Sequence, residues 1–405
     1  MPCSGCRRAL ALALALAFGG CAHRRSEAPA VERVSVEASE GDPQAYLVKA
    51  SESLNPGIRG RALGLLILYD EAPGGGPWGP RALFDPSSYV QRQAVAALAQ
   101  RIDEEYSVDL LETFVRRERV DPYTRGRASV VLALAGYSGE GDTLSAAWKA
   151  EELHWRRAPL ALGALMMGDE EALSALSEAL ARGDLPLEID FFLDVGRSGR
   201  TELARPLIEG LDLVEETLVL PTAVALISLG HVKGEALFRD ALGDKDIEVR
   251  LEAVDYVVEL DNEQVARRLL RRARTGGPEA VRRYAELALV ARGDGGPEPA
   301  YEALANVDRE LRQQGVWALA GWLVSSPDAP RRERRQAYKL LLASLGDPSP
   351  AVVQTAIMGL AKVGRSADRG VLATLLQEEA LGLGVEAAGA MLAIDAKERS
   401  GLASD

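Results

Sequence analysis

Cysteine and histidine are scarce in this sequence of 405 residues. The three cysteines, Cys3, Cys6 and Cys21, all lie at the extreme N-terminus, and only three histidines occur. The body of the chain therefore has no thiol for a disulfide, a redox pair or a thiolate metal site. A metal centre needs three or four converging ligands, and His154 and His231 lie more than 70 residues apart, so we predict no metal site.

Long apolar segments are also lacking. The one strongly apolar stretch, Ala9 to Phe18, has ten residues, whereas a membrane-spanning helix needs about 20. It follows two arginines and precedes Gly19, Gly20 and Cys21, an arrangement typical of a secretory signal peptide.

The end of this stretch resembles a bacterial lipobox, in which small residues precede a cysteine that is acylated and becomes the new N-terminus. Phe18 stands where Leu is usual. The resemblance implies that residues 1–21 are a lipoprotein-type signal peptide and that Cys21 is the lipidation site. It also implies a lipid-anchored protein of the bacterial cell envelope. Because Ala22 rather than Asp follows the cysteine, we expect the outer membrane, facing the periplasm. The alternative is cleavage after Ala22, which gives a secreted or periplasmic protein without lipid.

Basic side chains are outnumbered. The formal net charge is −13, and removal of residues 1–21 leaves 45 basic against 60 acidic side chains, a net charge of −15. Such a balance repels nucleic acid and anionic lipid headgroups. We therefore predict no nucleic-acid partner, and membrane contact only through the N-terminal lipid anchor.

Helical periodicity fills the body of the chain. Residues 22–42 are polar with little periodicity and are predicted to form a flexible tether. In residues 244–260, apolar residues step by four, three and four on two adjoining faces. A helix with two apolar faces must be sandwiched between neighbours. No segment shows sustained alternation, so we expect no strands.

An aliphatic residue four positions before a small one recurs along the chain, and weaker copies extend the series. Nine of the ten intervals between successive central residues are 30 to 34 residues long. These central residues are Ala62, Ala94, Ala128, Ala158, Phe191, Ala223, Ala253, Ala285, Gly315, Ala356 and Ala387.

The repeats resemble the HEAT-repeat family in its short bacterial form, which is also seen in phycobilisome-lyase-like repeats. The resemblance rests on an opening Asp, an aliphatic-Arg pair and a small residue, which read Asp244, Val249, Arg250 and Ala253 in the best copy. Two further copies are Asp85, Pro86, Val90 and Ala94, and Asp347, Pro348, Val352 and Ala356. The resemblance implies an all-α fold, an α-solenoid of about eleven helix pairs over residues 43–395, with a C-terminal tail at 396–405.

Three features complicate the repeat register. Pro159 and Pro221 fall inside or at the start of helices, so the register between 153 and 229 is the least defined. The turn-rich segment 71–80 replaces most of one helix. Residues 325–335 form an insertion before the repeat of Ala356.

No catalytic residue or cofactor site can be assigned from the sequence. Some HEAT-type metalloenzymes carry His-Glu dipeptides, and this chain has none. The string Gly196 to Gly199 lacks the spacing of a serine-hydrolase elbow. Gly382 and Gly384 match a dinucleotide fingerprint only by letter, since no strand precedes them. We predict a protein that is not an enzyme and binds no cofactor.

One arginine position recurs in the repeats, and in two copies it lies six residues after the opening Asp or Asn: Arg250 after Asp244 and Arg312 after Asn306. We interpret this spacing as a side-chain ladder between adjacent repeats, because buried charges are costly when unpaired. The alternative is a row of arginines that reads anionic groups. The arginines at this position are Arg59, Arg125, Arg250, Arg282 and Arg312.

Charge is distributed unevenly along the array. Residues 169–216 carry 13 acidic and 4 basic side chains, whereas residues 264–339 carry 15 basic and 9 acidic ones. A solvated outer face explains this pattern, and a docking surface for an acidic partner is the alternative. The candidate contact residues are Arg267, Arg271, Arg272, Arg331, Arg334 and Arg335.

Trp78 is a further candidate for partner binding. It lies in a loop with three glycines, which offers little core for an indole ring. Trp317 and Trp322 could line a groove, but their helical spacing favours core packing.

These observations favour a non-catalytic protein-protein interaction scaffold or adaptor, lipid-anchored in the cell envelope, whose partner is a protein or peptide with an acidic patch. One alternative is a HEAT-like lyase or cofactor-attachment factor. Another is a secreted, non-lipidated binding protein.

Overall fold

The computed structural model describes residues 41–183, 185, 188–376 and 381–400. These residues form 22 α-helices and no strand, so the predicted all-α fold of stacked helix pairs is confirmed. The predicted signal peptide with Cys21, most of the predicted tether (22–40) and residues 401–405 lie outside the described residues.

Helices of two kinds alternate along the chain. The even-numbered helices carry the recurring central residue and are called A helices. They are α2 Pro56–Tyr69, α4 Ser88–Ala99, α6 Pro122–Leu134, α8 His154–Met166, α10 Ile189–Arg197, α12 Val219–Ser228, α14 Ile247–Val258, α16 Glu279–Ala291, α18 Arg309–Ser325, α20 Pro350–Val363 and α22 Leu381–Arg399.

The odd-numbered helices are called B helices, and one lies between each two successive A helices. They are α1 Pro43–Ala50, α3 Trp78–Leu83, α5 Glu105–Arg116, α7 Gly141–Ala150, α9 Glu171–Arg182, α11 Ala204–Glu209, α13 Val232–Ala241, α15 Glu263–Thr275, α17 Glu298–Leu304, α19 Arg331–Ala343 and α21 Arg369–Leu375.

The recurring central residue is buried in all eleven A helices. This includes Ala158, Phe191 and Ala223, which lie in the part of the chain where the sequence defined the register least. Pro159 and Pro221 both lie within A helices, α8 and α12. The predicted eleven repeats are therefore present.

The opening aspartates of the repeats shape the turns before the A helices. In the three copies that carry the HEAT resemblance, one carboxylate oxygen accepts a hydrogen bond from the backbone N–H two residues later. The distances are 2.9 Å for Asp85, 2.8 Å for Asp244 and 2.8 Å for Asp347. Such side-chain bonds replace the partners that helix-opening N–H groups lack.

Successive A helices approach each other closely at small residues. A Cβ atom on Gly126 of α6 would lie 2.4 Å from the carbonyl oxygen of Pro159 in α8, and one on Gly163 would lie 2.7 Å from Cβ of Ser129. These two contacts fix a parallel register between α6 and α8. Similar contacts at Gly196 and Gly321 join α10 to α12 and α16 to α18. The A layer is therefore close-packed and tolerates no added methyl group at these positions.

The chain divides into two compact units, which we describe separately. The described part of one unit spans residues 70–269, and that of the other combines residues 41–69 with the chain from 270 onward. The second unit is thus assembled from both ends of the sequence.

Within this second unit, the first helix pair packs on the last helix. The ring of Tyr46 in α1 lies against Gly384 of α22, and Leu65 of α2 lies against Gly389. Arg61 and Glu386 form an ion pair at 2.5 Å. Residues of α22 are buried on nearly every side from 385 to 394, so this helix needs the cover that α1 and α2 provide. It continues to Arg399, beyond the expected end of the array at 395.

No helix among the described residues is both long and apolar enough to cross a membrane.

Candidate docking surface

The arginines of α15 differ in what they contact. Arg267 pairs with Glu263 one turn earlier, at 3.2 Å, and Arg271 donates two hydrogen bonds to Asp294, at 2.9 and 3.2 Å. Arg272, in contrast, is exposed, and no ion pair to it is found in the described part of the chain. Its neighbour Arg274 is likewise exposed. Of the three candidate contact residues on α15, Arg267 and Arg271 therefore already have carboxylate partners within the chain.

The arginines of α19 also separate into two kinds. Arg334 is half-buried, and its Nη1 donates to the carbonyl oxygens of Leu323 at 2.9 Å and Ser326 at 2.6 Å. It fastens α19 to the end of α18. Arg334 is therefore removed from the candidate contact residues, because its guanidinium is bound to backbone carbonyls at the end of α18. The remaining cations of this turn are exposed, and no ion pair to them is found among the described residues. They are Arg331, Arg332 and Arg335.

Trp78 lies at the first position of α3 rather than in an open loop. Its ring is half-buried, Nε1 donates to Asp70 Oδ2 at 3.0 Å, and the guanidinium of Arg81 lies 5.8 Å from the ring centre. The expectation of a loop with little to cover the indole was wrong, because the carboxylate of Asp70 and the short helix together position it.

The glycine-rich segment before Trp78 is held by one arginine. Arg101 donates to the carbonyl oxygens of Asp70 at 2.7 Å and Ala72 at 2.9 Å, and its Nε donates to Glu104 at 2.7 Å. Glu104 in turn accepts from the backbone N–H of Gly74 at 2.8 Å. This segment is therefore a fixed turn built on the ends of α4 and α5.

The recurring arginine position serves mainly to bind backbone carbonyls. Arg59 Nη1 donates to Ser53 O at 2.7 Å, Arg125 Nε to Val115 O at 2.6 Å and Arg282 Nη1 to Gly277 O at 2.7 Å. Arg250 donates to the backbone carbonyl of Asp244, not to its carboxylate. The predicted Asp-Arg side-chain ladder is thus wrong for Arg250, and the arginine instead closes the turn that leads into its own helix.

Arg312 is the member of this series that also reaches the next repeat. Its Nη1 donates to Asn306 O at 3.2 Å and Val307 O at 2.9 Å, as in the other repeats. Its Nε and Nη2 bind the carboxylate of Asp347, the opening aspartate of the following repeat. Here the predicted ladder between neighbours does exist.

A buried ionic cluster in the A layer was missed by the sequence reasoning. Arg127 of α6 pairs with Asp190 and, at 3.4 Å, with Asp194, both on α10. Arg197 also lies 3.4 Å from Asp194. The side chains of Arg127 and Asp194 are only 11% and 7% exposed. Helix α10 is thus tied to α6, two A helices earlier in the chain.

Burial and ion pairing oppose each other in this cluster. Burial raises the pKa of Asp194 above its usual value, against the opposing effect of Arg127 and Arg197. Burial lowers the pKa of Arg127, but the carboxylates of Asp190 and Asp194 outweigh it and raise that pKa above its usual value. Burial also raises the pKa of Tyr123, whose hydroxyl has no hydrogen-bond partner within the described chain. Arg92 lies over the Tyr123 ring at 5.7 Å and pairs with Glu188 at 3.3 Å. The cluster binds helices together, and its formal charges balance.

No group of three or more metal-ligating side chains occurs among residues 41–183, 185, 188–376 and 381–400. A shallow pocket of about 460 Å³ lies beside the fixed turn, lined by Tyr106, Arg101 and several carboxylates. Its arginine is already bound within the turn, so the pocket is mainly acidic.

No family model and no curated protein matches this chain. Similar solved structures include two engineered proteins of the Northeast Structural Genomics Consortium. One has 19% identity and a TM-score of 0.32, and covers 87% of this chain and 99% of its own. The other has 20% identity and a TM-score of 0.24, and covers 71% and 96%. Human deoxyhypusine hydroxylase in complex with glycerol has 15% identity and a TM-score of 0.29, and covers 78% and 96%. At these scores, none of the three assigns a function.

Proposed function

We propose that this protein is a non-catalytic scaffold or adaptor of the HEAT-repeat type that docks an acidic protein or peptide. We further propose that a lipid on Cys21 anchors it in the bacterial cell envelope, at the outer membrane facing the periplasm. The docking surface consists of the five arginines of α15 and α19 that are exposed and have no ion pair in the described structure, namely Arg272, Arg274, Arg331, Arg332 and Arg335.

The observation that carries this proposal is that three arginines of α19 are exposed and have no ion pair among the described residues. Arg331, Arg332 and Arg335 lie in the first turns of a helix whose N-cap residue, Pro330, provides no side-chain cap. The first turn of a helix carries partial positive charge, so Arg331 and Arg332, its first two residues, are unfavourable there by about 0.3–1 kcal/mol each, and Arg335 follows one turn later. An arrangement that is locally unfavourable is expected at a functional surface, where an incoming carboxylate removes the conflict.

The chain offers a sharp test of this docking surface. Reversal of Arg331, Arg332 and Arg335 to Glu should remove acidic partners from a crosslinking pulldown in intact cells. A control variant reverses three exposed cations of the other unit, again without an ion pair in the described residues: Arg119, Lys233 and Lys245. It changes the net charge by the same amount and should retain the partners. Equal capture by both variants, each folded by circular dichroism, would leave these arginines as a solvated face.

The anchor has a separate test. Acylation requires the sulfur of Cys21, so Cys21→Ser should abolish palmitate incorporation and leave unprocessed precursor. Unchanged labelling of the variant would overturn the lipid anchor. A purified wild-type protein that carries a bound chromophore would favour the lyase or cofactor-attachment alternative over the scaffold.

A further inference from the structure

One acidic segment has no ion pairs in the described structure and an exposed apolar side chain. Asp212, Glu215 and Glu216 are exposed between α11 and α12, and the side chain of Leu213 is 63% exposed. We call residues 211–217 the acidic loop. Most other described carboxylates of the acidic segment 169–216 do have partners, as Glu170 does with Arg200 at 2.6 Å.

The backbone of the acidic loop is held in place although its side chains project outward. The N–H groups of Leu213 and Val214 donate to the carbonyl oxygen of Gly210 at 2.9 and 3.1 Å. Gly183, with a φ of +66°, leaves room for the backbone of Leu213, since a Cβ there would lie 2.9 Å from its carbonyl carbon. A loop that is already ordered loses little conformational entropy when it binds.

An exposed apolar side chain also adjoins the site where α19 is fastened to α18. Arg334 of α19 donates to the carbonyl oxygen of Leu323, and the next residue is Val324. Val324 is 52% exposed. We call Val324, Arg331, Arg332 and Arg335 the arginine face.

The acidic loop and the arginine face have matching compositions. Each has one exposed aliphatic side chain and three exposed charges, and the charges are of opposite sign. An apolar centre with a charged rim is the usual anatomy of a protein interface. Opposite charges around it steer the encounter and fix the orientation.

We propose that the acidic loop of one copy of this chain docks on the arginine face of a second copy. This inference rests on the proposed function, because it names the acidic partner of the same arginines. The two surfaces are different, so the contact is heterologous, and each copy keeps one free surface of each kind. Head-to-tail contacts of this type build rings or open arrays.

The net negative charge of the chain does not prevent this contact. Charges on exposed surfaces are screened over about 8 Å at physiological salt, so the local pairs dominate once the surfaces meet. A lipid anchor would also confine the copies to one surface and raise their effective concentration.

The test uses full-length chains with reversed charges. One variant carries Arg331→Glu, Arg332→Glu and Arg335→Glu, and the other carries Asp212→Lys, Glu215→Lys and Glu216→Lys. Sedimentation should show wild-type association that weakens as salt is raised. Each variant alone should associate roughly tenfold or more weakly, because three exposed charge pairs across the contact become repulsive. An equimolar mixture of the two variants should restore association, since both contacts then become complementary again.

The apolar centre provides a matched control. Leu213→Asp should weaken association, whereas Val232→Asp, at a side chain 80% exposed elsewhere in the same unit, should leave it unchanged. Wild-type chains that stay monomeric at low salt, or a mixture that fails to restore association, would overturn the self-docking inference. The proposed function would survive that result if the arginine-reversed chain still loses a partner in cells, and would fall with it if no partner is lost.

Discussion

Arg312 binds both carboxylate oxygens of Asp347, with Nε–Oδ2 and Nη2–Oδ1 distances of 2.7 and 3.0 Å. The two side chains are 15% and 12% exposed. These hydrogen bonds lower the pKa of Asp347 below its usual value. Because Asp347 also shapes the turn into α20, the pair joins two successive repeats through one carboxylate.

Arg312→Gln should lower the free energy of unfolding at neutral pH, because the carboxylate of Asp347 then loses both of its guanidinium hydrogen bonds. A lowered carboxylate pKa contributes stability above the unfolded-state value of 3.8, and this contribution is lost as the pH falls through the folded-state pKa. The difference between wild type and Arg312→Gln in urea unfolding should therefore shrink in acid. Arg250→Gln is the control, because Arg250 binds carbonyls that do not titrate, and its deficit should stay constant with pH.

Gly126→Ala should destabilise the unit that contains α6 by roughly 1–3 kcal/mol, because the added methyl group meets the carbonyl oxygen of Pro159. Gly370→Ala is the matched substitution in α21, where a Cβ has no heavy atom within 4 Å. It should stabilise slightly, since Ala favours a helix over Gly by about 0.5–1 kcal/mol. Thermal unfolding of both variants checks the pair, and a neutral Gly126→Ala would mean that α6 and α8 do not touch there.

Arg127→Leu should destabilise by roughly 3–5 kcal/mol, because Asp194 is then buried without its main partner. The carboxyl of Asp194 should respond by keeping its proton at higher pH. An acid whose folded-state pKa is raised loses stability as the pH rises, so the variant should be more stable at pH 5 than at pH 8.

The double variant Arg127→Leu with Asp194→Leu removes both charges. It should recover most of the lost stability, and the pH dependence of the single variant should disappear. Chemical denaturation at the two pH values distinguishes these outcomes. A single variant with no pH dependence would show that Asp194 remains hydrated.

Lys397→Met should stabilise the unit that contains α22. Burial lowers the pKa of Lys397 to about 8, and its Nζ has no hydrogen-bond partner in the described chain. Below that pH the lysine is charged in both the folded and the unfolded state. Its burial then lowers the free energy of unfolding by roughly 1–2 kcal/mol, after allowance for partial solvent exposure. Between about 8 and 10.5 the folded lysine is neutral and the cost disappears. The gain from Lys397→Met should thus be full at pH 7 and lost near pH 10.5, as measured by urea unfolding.

The repeat architecture could be predicted because its signal is local. A small residue such as Ala253 or Ala128 lies where neighbouring helices touch, and its spacing from aliphatic residues on the same helix is visible in one short stretch of sequence. The opening aspartates are equally local, since each binds an N–H group two residues away. Both features need only helical periodicity to be recognised.

The roles of individual charges could not be predicted in this way. Arg331 and Arg334 lie three residues apart in one basic run, yet only Arg334 meets carbonyls of another helix. The pair Arg127 and Asp194 joins repeats that are not consecutive, so no recurring spacing in the sequence indicates it. Trp78 owes its position to Asp70, which lies in a segment that reads as an open loop. Tertiary packing decides each of these contacts, and the composition of the sequence does not indicate how the helices pack.

The cover that α1 and α2 provide for α22 has a consequence for the order of folding during synthesis. The first helix pair leaves the ribosome long before its binding surface on α22 exists, and the chain between them includes the whole of the other unit. Contacts between segments so far apart in sequence form slowly. The chain between them must first lose conformational entropy, and only afterwards does the contact provide stabilising free energy. The unit built from both chain ends should therefore be the last to fold, and until then its first pair must remain soluble without its partner.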